Sequence, residues 1–340
     1  MLAATTELRH AEQVRKYLSA KKLLHPDFLP VKELGFIYFP LERKARVPSA
    51  KVVAVKFSFP VKKHQPALDE LLKGKLTVRE FALLPHSQEI IGNILILEMP
   101  PELEKKEKII AEAFLQANKH FSTIVKKQEM HGGVYRLRKV KILAGKKTKE
   151  TVHQENGVQI KLHLENTYFS ARLANERLRI AQQVKPGEEV LVLFSGAAPY
   201  PLVLAKRSPA KIVYGIEINP LAHRYAVENV ALNKLEKKIR IFQGDVREVV
   251  PKIRKKFDRI VMPLPKTSEQ FLDVALRKAK PGAIIHLYAF LEEKDFAAEA
   301  RRIKEICKRQ GHPVRVLRTV PCGKFSPYVF RVCFDLKVLQ

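Results

Sequence analysis

At 340 residues and 46% hydrophobic content, the chain is long enough for two or three domains with full cores. Its 63 Lys and Arg stand against 35 Asp and Glu, a net charge of +28, and a basic surface of that size points to a polyanionic partner, nucleic acid first. No apolar run approaches the ~18 residues of a membrane span and no secretory leader opens the chain, so a soluble, cytoplasmic protein is expected. The cysteines (Cys307, Cys322, Cys333) are odd in number, late and without metal spacing, and no two histidines are spaced to share a helix face. Reduced thiols and no metal are expected. The basic surplus is uneven: residues 126–150 carry nine Lys and Arg against two Glu, and 301–340 carry ten against two acids. A Lys-rich heat-adapted surface is the competing reading, but Glu would normally balance it.

Residues 1–62 read as a small α/β unit, with helical spacing over 8–18 and strands at 34–39 and 52–57. The polar, proline-bounded stretch 60–66 reads as a linker. Residues 67–163 form a second unit, with amphipathic helices at 67–73 and 104–117 and strands at 94–98, 122–126, 134–144 and 158–164. Its elements mix without a βαβ rhythm, so α+β is expected. From about residue 164 the rhythm changes. A helix at 173–183 precedes strands at 188–194, 211–218, 238–243, 257–262 and 282–290, alternating with helices at 220–233, 247–254, 268–279 and 293–310. A hairpin at 314–320 and 328–338 closes the chain. The predicted fold is α/β, with a Rossmann-like methyltransferase domain over 164–340 behind the two smaller domains, since dehydrogenases end in a sixth parallel strand rather than a hairpin.

The chemistry gathers at 188–219. A short apolar strand ends in Ser195-Gly196-Ala197-Ala198-Pro199, small enough for a ligand to approach the backbone, and the next strand ends at Glu217. Gly196 and Glu217 lie about 20 residues apart, as expected when an acid binds a ribose hydroxyl above the turn. The turn is not G-x-G-x-x-G and has no triphosphate lysine, which leaves S-adenosylmethionine as the favoured nucleoside ligand. The alternative is an ordinary βαβ unit with an exposed glutamate. Asp245, after Gly244, could accept from an adenine amino group or cap the next helix. Pro263-Leu264-Pro265-Lys266 forms a rigid loop after the fourth strand, where base-nitrogen methyltransferases grip a flipped base; a simple proline stop is the alternative.

Several motifs resemble the archaeal and eukaryotic tRNA guanine-37 N1-methyltransferases: Tyr168-Phe169-Ser170-x-Arg172-Leu173-x-x-Glu176-Arg177, Tyr135-Arg136-x-Arg138, His153-x-Glu155-Asn156-Gly157, Glu217-Ile218-Asn219-Pro220 and Gly244-Asp245-Val246-Arg247. The resemblance covers roughly 130–340 well and 1–130 by domain order. It implies a small N-terminal domain touching the tRNA elbow, a middle RNA-binding domain and a catalytic domain, acting as a monomer. It also implies that Glu176 is the general base and that Arg136 stabilises charge on guanine O6. From the residues alone, an i,i+4 pair with Arg172 is the preferred reading of Glu176, and Arg136 could equally be one more strand cation. The cofactor set implied is Tyr168, Arg177, Phe194, Gly196, Pro199, Tyr200, Glu217, Ile218, Asp245, Val246, Pro263, Leu264 and Pro265, with Arg136, Arg138 and Lys266 toward RNA.

Three departures from the family pattern matter: Val192 replaces an acid, Ala198 a glycine and Pro263 an asparagine. A branch associated with wyosine synthesis looks similar at these points, in Pro199-Tyr200-Pro201-Leu202-Val203 and the P-x-P-K loop. The expected activity is therefore methylation at tRNA position 37, at guanine N1, at C7 of 4-demethylwyosine, or both. The alternatives are a ribosomal-RNA base methyltransferase and a catalytically inactive RNA-binding protein.

Overall fold

The computed structural model describes residues 1–62, 66–85, 88–128, 132–133, 135–266 and 268–339. Its contacts divide the chain into two units, Met1–Leu71 and Leu72–Gln340. In the first, β1 (Leu2–Glu7), β2 (Val31–Glu33), β3 (Phe36–Pro40) and β4 (Lys51–Ala54) form an antiparallel sheet in the order β2-β3-β1-β4. Helix α1 (Ala11–Ala20) packs Val14 and Leu18 against Ala4, Ile37 and Phe39. β1 had no sequence signal, because Ala-Ala-Thr-Thr is a weak strand former; pairing on both edges makes it a strand. The strand expected from residue 34 starts at Phe36, since Leu34 and Gly35 turn at φ +47° and +83°. The strand expected to 57 stops at Ala54. Of the expected linker, residues 63–65 lie outside the described residues.

Helix α2 (Leu68–Leu72) spans the division between the units, and α3 (Val78–Ala82), absent from the expectation, begins with a reciprocal Thr77–Glu80 capping box. β5 (Gln88–Ile91), β6 (Ile94–Leu97), β7 (Thr123–Lys127) and β8 (Val140–Gly145) make a mixed sheet in that order, under α4 (Glu107–Ala117). β8 starts six residues later than expected; residue 134 itself is outside the described set. β9 (Glu150–Glu155) and β10 (Val158–His163) form a hairpin through Asn156 and Gly157, both at positive φ. The Asn-Gly pair was the overlooked signal for β9, as it is the preferred two-residue hairpin turn.

The remaining elements are α5 (Ala174–Gln183), β11 (Glu189–Val192), α6 (Pro199–Arg207), β12 (Ile212–Glu217), α7 (Pro220–Leu232), β13 (Ile239–Gln243), α8 (Val246–Lys252), β14 (Phe257–Met262), α9 (Leu272–Lys278), β15 (Ala279–Glu292), α10 (Phe296–Arg309), β16 (Val314–Lys324) and β17 (Val329–Val338). The seven-stranded sheet runs β13-β12-β11-β14-β15-β17-β16. β11 to β15 are parallel; β17 pairs antiparallel with β15, and β16 pairs antiparallel with β17. This is the expected α/β arrangement, with the strand order reversing at β11. Among the described residues no helix is long and apolar enough to cross a membrane.

Two polar devices hold this unit together. The first is a pair of asparagines on α7 that act as a strand edge for β10. Asn229 accepts from Lys161 N at 2.7 Å and donates to Lys161 O at 2.8 Å and to Ala197 O at 3.0 Å. Asn233 repeats the pattern one turn later on Gln159. Asn229 is fully buried, so its three backbone partners have no water to fall back on.

The second is a buried chain of charges across β14, β15, β17 and α5. Arg259 grips Glu188 through Nε and Nη2 at 2.8 and 3.1 Å and donates to His286 Nε2 at 2.7 Å. Since Arg can only donate, His286 Nε2 must accept, so its proton sits on Nδ1 and faces Asp335 at 2.6 Å. Asp335 in turn binds Arg179, which clasps both oxygens of Glu176 at 2.7 and 2.8 Å. Burial holds His286 neutral, below its usual pKa, while His286 and Arg179 keep Asp335 ionised far below the carboxylate range.

Asn229→Leu keeps the branched shape but strands three backbone groups, and is expected to cost about 3 kcal/mol. Asn233→Ala, at an exposed position, should cost about 1 kcal/mol. Urea unfolding checks both. The His286 proton balance predicts a second result. The unfolded chain takes up a proton near its ordinary pKa and the folded chain does not. Stability should therefore fall as pH drops below about 6.5, by up to about 1.4 kcal/mol per unit, until the folded-state pKa is reached. A flat stability between pH 7.5 and 5.5 would contradict the neutral assignment.

Candidate active site

The carboxyl ends of β11, β12, β13 and β14 open into one cavity of about 420 Å³. Its floor is the turn after β11, where Phe194, Gly196 and Ala198 all take left-handed backbone at φ +58°, +58° and +66°. Only the glycine adopts this freely; an L-residue there costs about 1–2 kcal/mol. Ala198, standing where the family pattern has glycine, holds a glycine conformation at the start of α6.

Glu217 fixes that turn. One carboxylate oxygen accepts from Gly196 N at 2.6 Å and the other from Asn219 N at 2.8 Å. Burial raises its pKa, opposed by these amide bonds. Asn219 then caps α7, accepting from Leu221 N and Ala222 N. Ser195, inside the turn, fits because β12 carries Gly215 opposite; a Cβ on Gly215 would meet Ser195 Oγ at 3.1 Å and Ile241 Cδ1 at 2.8 Å. Ser195 Oγ is buried on the cavity wall and has no hydrogen-bond partner among the described residues. After β13, Gly244 sits at φ +134°, and a Cβ there would come within 2.7 Å of Val249 Cγ2. Asp245 caps α8 through Arg247 N at 2.8 Å and binds the Arg247 guanidinium, which lowers its pKa. Capping and a place on the cavity wall thus coexist. After β14, Ser268 Oγ pins the loop through Met262 O and Leu264 O.

The opposite wall is aromatic and cationic. Arg177 is 1% exposed, bound by both oxygens of Glu155 at 2.5 Å, with its guanidinium 5.3 Å from the Phe169 ring and 5.8 Å from that of Tyr200. Tyr168 accepts from Arg331 Nη2 at 3.0 Å. Arg136 lies at φ +52° in a turn closed by Gly132 and Leu137, not in a strand; burial lowers its pKa, as does the nearby Arg331, while Tyr168 raises it.

Arg136, Tyr168, Arg177, Phe194, Gly196, Pro199, Tyr200, Glu217, Ile218, Asp245, Val246, Pro263, Leu264 and Lys266 all line this cavity. Glu176, Pro265 and Arg138 do not. Arg138 is 4% exposed and pairs with Glu89 at 2.7 Å, so it is a structural cation and not a surface one. Pro265 is buried behind the loop. Glu176 adjoins Arg177 on α5, and successive helix residues diverge by about 100°. Its carboxylate therefore faces Arg179, not Arg172, and accepts from Tyr288 OH at 2.6 Å; Tyr288 OH accepts from Tyr200 OH at 3.1 Å.

Sequence reasoning named Ser195 and Asn219 only within motifs, giving neither a site role, and did not single out Phe271, Tyr288 or Arg331. Tyr288 and Arg331 had no signal, because they come from the far side of the sheet. His286, Cys333 and Asp335 bring ligand-type atoms within 4.8 Å of one another, but these atoms bond each other. All three cysteines are free thiols.

Against this geometry, three known-family models match in succession: the tRNA methyltransferase 5 N-terminal domain over 6–49, the TYW2 N-terminal domain over 68–148, and the TRM5/TYW2 methyltransferase domain over 151–317. The tRNA (guanine(37)-N(1))-methyltransferase Trm5b of Pyrococcus abyssi is 34% identical over 99% of both chains, and its crystal structure superposes with a TM-score of 0.72 over the whole of each. The tRNA 4-demethylwyosine(37)-methyltransferase Taw21 of Saccharolobus solfataricus is 33% identical over 73% of this chain and 92% of its own. The TYW2 of P. horikoshii, solved in complex with MeSAdo, is 31% identical with a TM-score of 0.70 over 80% of this chain and 98% of its own. Continuous similarity across both units, with the cavity on a methyltransferase sheet, shows that the chain belongs to the TRM5/TYW2 methyltransferase family.

Proposed function

We propose that the chain is a cytoplasmic, monomeric, S-adenosylmethionine-dependent tRNA methyltransferase acting on the base at position 37, at guanine N1, at C7 of 4-demethylwyosine, or both. The observation that carries this is one cavity with the strand-end turns of a methyltransferase sheet on one wall and Arg136 on the other, in a chain of net charge +28. Residues 1–62 are assigned to the tRNA elbow, 67–163 to RNA binding near the anticodon loop and 164–340 to catalysis. The ribosomal-RNA and inactive readings have no observation in their favour.

The residues present fit the cofactor. The cavity volume lies in the range of small-molecule sites. Ser195 Oγ is a buried hydroxyl awaiting a partner. Glu217 keeps lone pairs for ribose hydroxyls after its two amide bonds. Asp245 and Val246 suit the adenine, and Phe194, Ile218 and Leu264 supply apolar walls. Gly196, Pro199, Tyr168 and Arg177 suit the amino-acid end. When bound, S-adenosylmethionine supplies an electrophilic methyl group on a sulfonium. The Pro263–Lys266 loop borders the target base, with Lys266 toward its phosphate and Pro263 giving a less polar pocket than an asparagine would.

Arg136, half-buried and cationic, stabilises the negative charge that gathers on the base as its proton leaves. Glu176 receives that proton through Tyr200 and Tyr288 and not by direct contact. A carboxylate only accepts, so Tyr288 donates to it and Tyr200 donates to Tyr288, leaving the Tyr200 oxygen to accept from the base. Burial raises both phenols above their usual pKa, which disfavours a tyrosinate intermediate and favours concerted transfer of the three protons.

With labelled S-adenosylmethionine and tRNA carrying either guanosine or 4-demethylwyosine at position 37, label should appear in 1-methylguanosine, the methylated tricycle, or both. Label in neither would overturn the reading. Arg136→Ala should lower kcat by about 100-fold while cofactor affinity changes little. Tyr288→Phe removes the link in the relay without altering shape. It should lower kcat at least about tenfold and abolish the solvent isotope effect on transfer. Wild-type kcat across pH in that variant would exclude the relay, whatever the fate of the substrate assignment.

A further inference from the structure

On the reading just proposed, the target base leaves its stack for the cavity, and the exposed face of its neighbour must be received nearby. We propose that the tip of the β16–β17 hairpin is a stacking platform for a nucleotide flanking the target base, built from Phe325 and Tyr328, with Arg331 joining it to the cavity.

Phe325 is 54% exposed and Tyr328 79% exposed, two large rings presented on one turn. The turn is rigid: Phe325 N and Ser326 N both donate to Val329 O, at 2.8 and 3.2 Å. Phe325 lies against Phe290 with centroids 4.2 Å apart and ring planes 34° off parallel. The Arg331 guanidinium sits 5.3 Å from the Phe290 ring and donates to Tyr168 OH on the cavity wall. Rings and cations thus run unbroken from the cavity to the tip. Arg331 Nε is buried with no hydrogen-bond partner among the described residues. Lys324, 5.8 Å from the Phe330 ring, adds a cation at the tip. Glu292, opposite Val329 on β15, is an acid beside the tip, and Lys294 binds its carboxylate at 2.7 Å; Asp335 is buried in the charge chain. Exposed aromatic faces with interleaved cations are what single-stranded nucleic acid requires.

The test uses the full chain and tRNA transcripts with 2-aminopurine at position 36 or 38. Binding to the wild type should quench fluorescence at one of them. Tyr328→Ala and Phe325→Ala should each remove the quench and raise KM for tRNA at least about fivefold. Their melting temperatures and cofactor affinities should match the wild type. No quench at either position, or unchanged quench and KM in both variants, would overturn the platform. Absence of methyl transfer by the wild type would overturn the position-37 reading instead, because the quench reports stacking whichever base is methylated.

Discussion

The catalytic unit depends on a buried alternation of charge. Glu188, Arg259, neutral His286, Asp335, Arg179 and Glu176 follow one another across β14, β15, β17 and α5. Burying so many ionised groups is expensive, and the cost is offset only because each is held by a partner of opposite sign or by a fixed hydrogen bond. The chain is therefore intolerant of a single missing member. It joins the antiparallel hairpin to the parallel sheet and ties both to α5, the helix that presents Arg177 to the cavity and Glu176 to the other side.

The cavity floor rests on a second constraint of the same kind. Three left-handed residues in five, two of them not glycine, form a turn that would not persist alone. Glu217 stabilises it by accepting from Gly196 N, and Asn219 carries the restraint into α7. Asn229, further along that helix, returns to the turn through Ala197 O and holds β10 at the same time. The ligand-facing backbone is thus set before any ligand arrives, which is where a transfer reaction limited by positioning gains most.

The separation of Arg177 from Glu176 shapes the chemistry. Glu176 is held in the ionic network and does not line the cavity. Tyr200 and Tyr288 connect it to the cavity wall, their hydroxyls directed in series toward the carboxylate. Arg331 and Tyr168 make a comparable connection outward, from the cavity to the hairpin tip.

The parallel sheet, its terminal hairpin and the strand-end turns were legible in the sequence, because apolar runs of strand length between amphipathic helices admit few other arrangements. Glu217 and Asp245 were legible by position, since a residue at the carboxyl end of a parallel strand reaches the crevice wherever the chain goes next. Strands β1, β2, β5 and β9 were not, being defined by their partners more than by their own residues. Nor was the fate of single cations and acids: in one basic stretch Arg136 reaches the cavity and Arg138 is buried on Glu89, and on one helix turn Arg177 and Glu176 part company. Sequence fixes which side chains a segment offers to each face. Only tertiary packing decides which face meets a ligand, because a buried charge goes where its counter-charge lies, and that partner can be far along the chain, 156 residues away for Arg179 and Asp335.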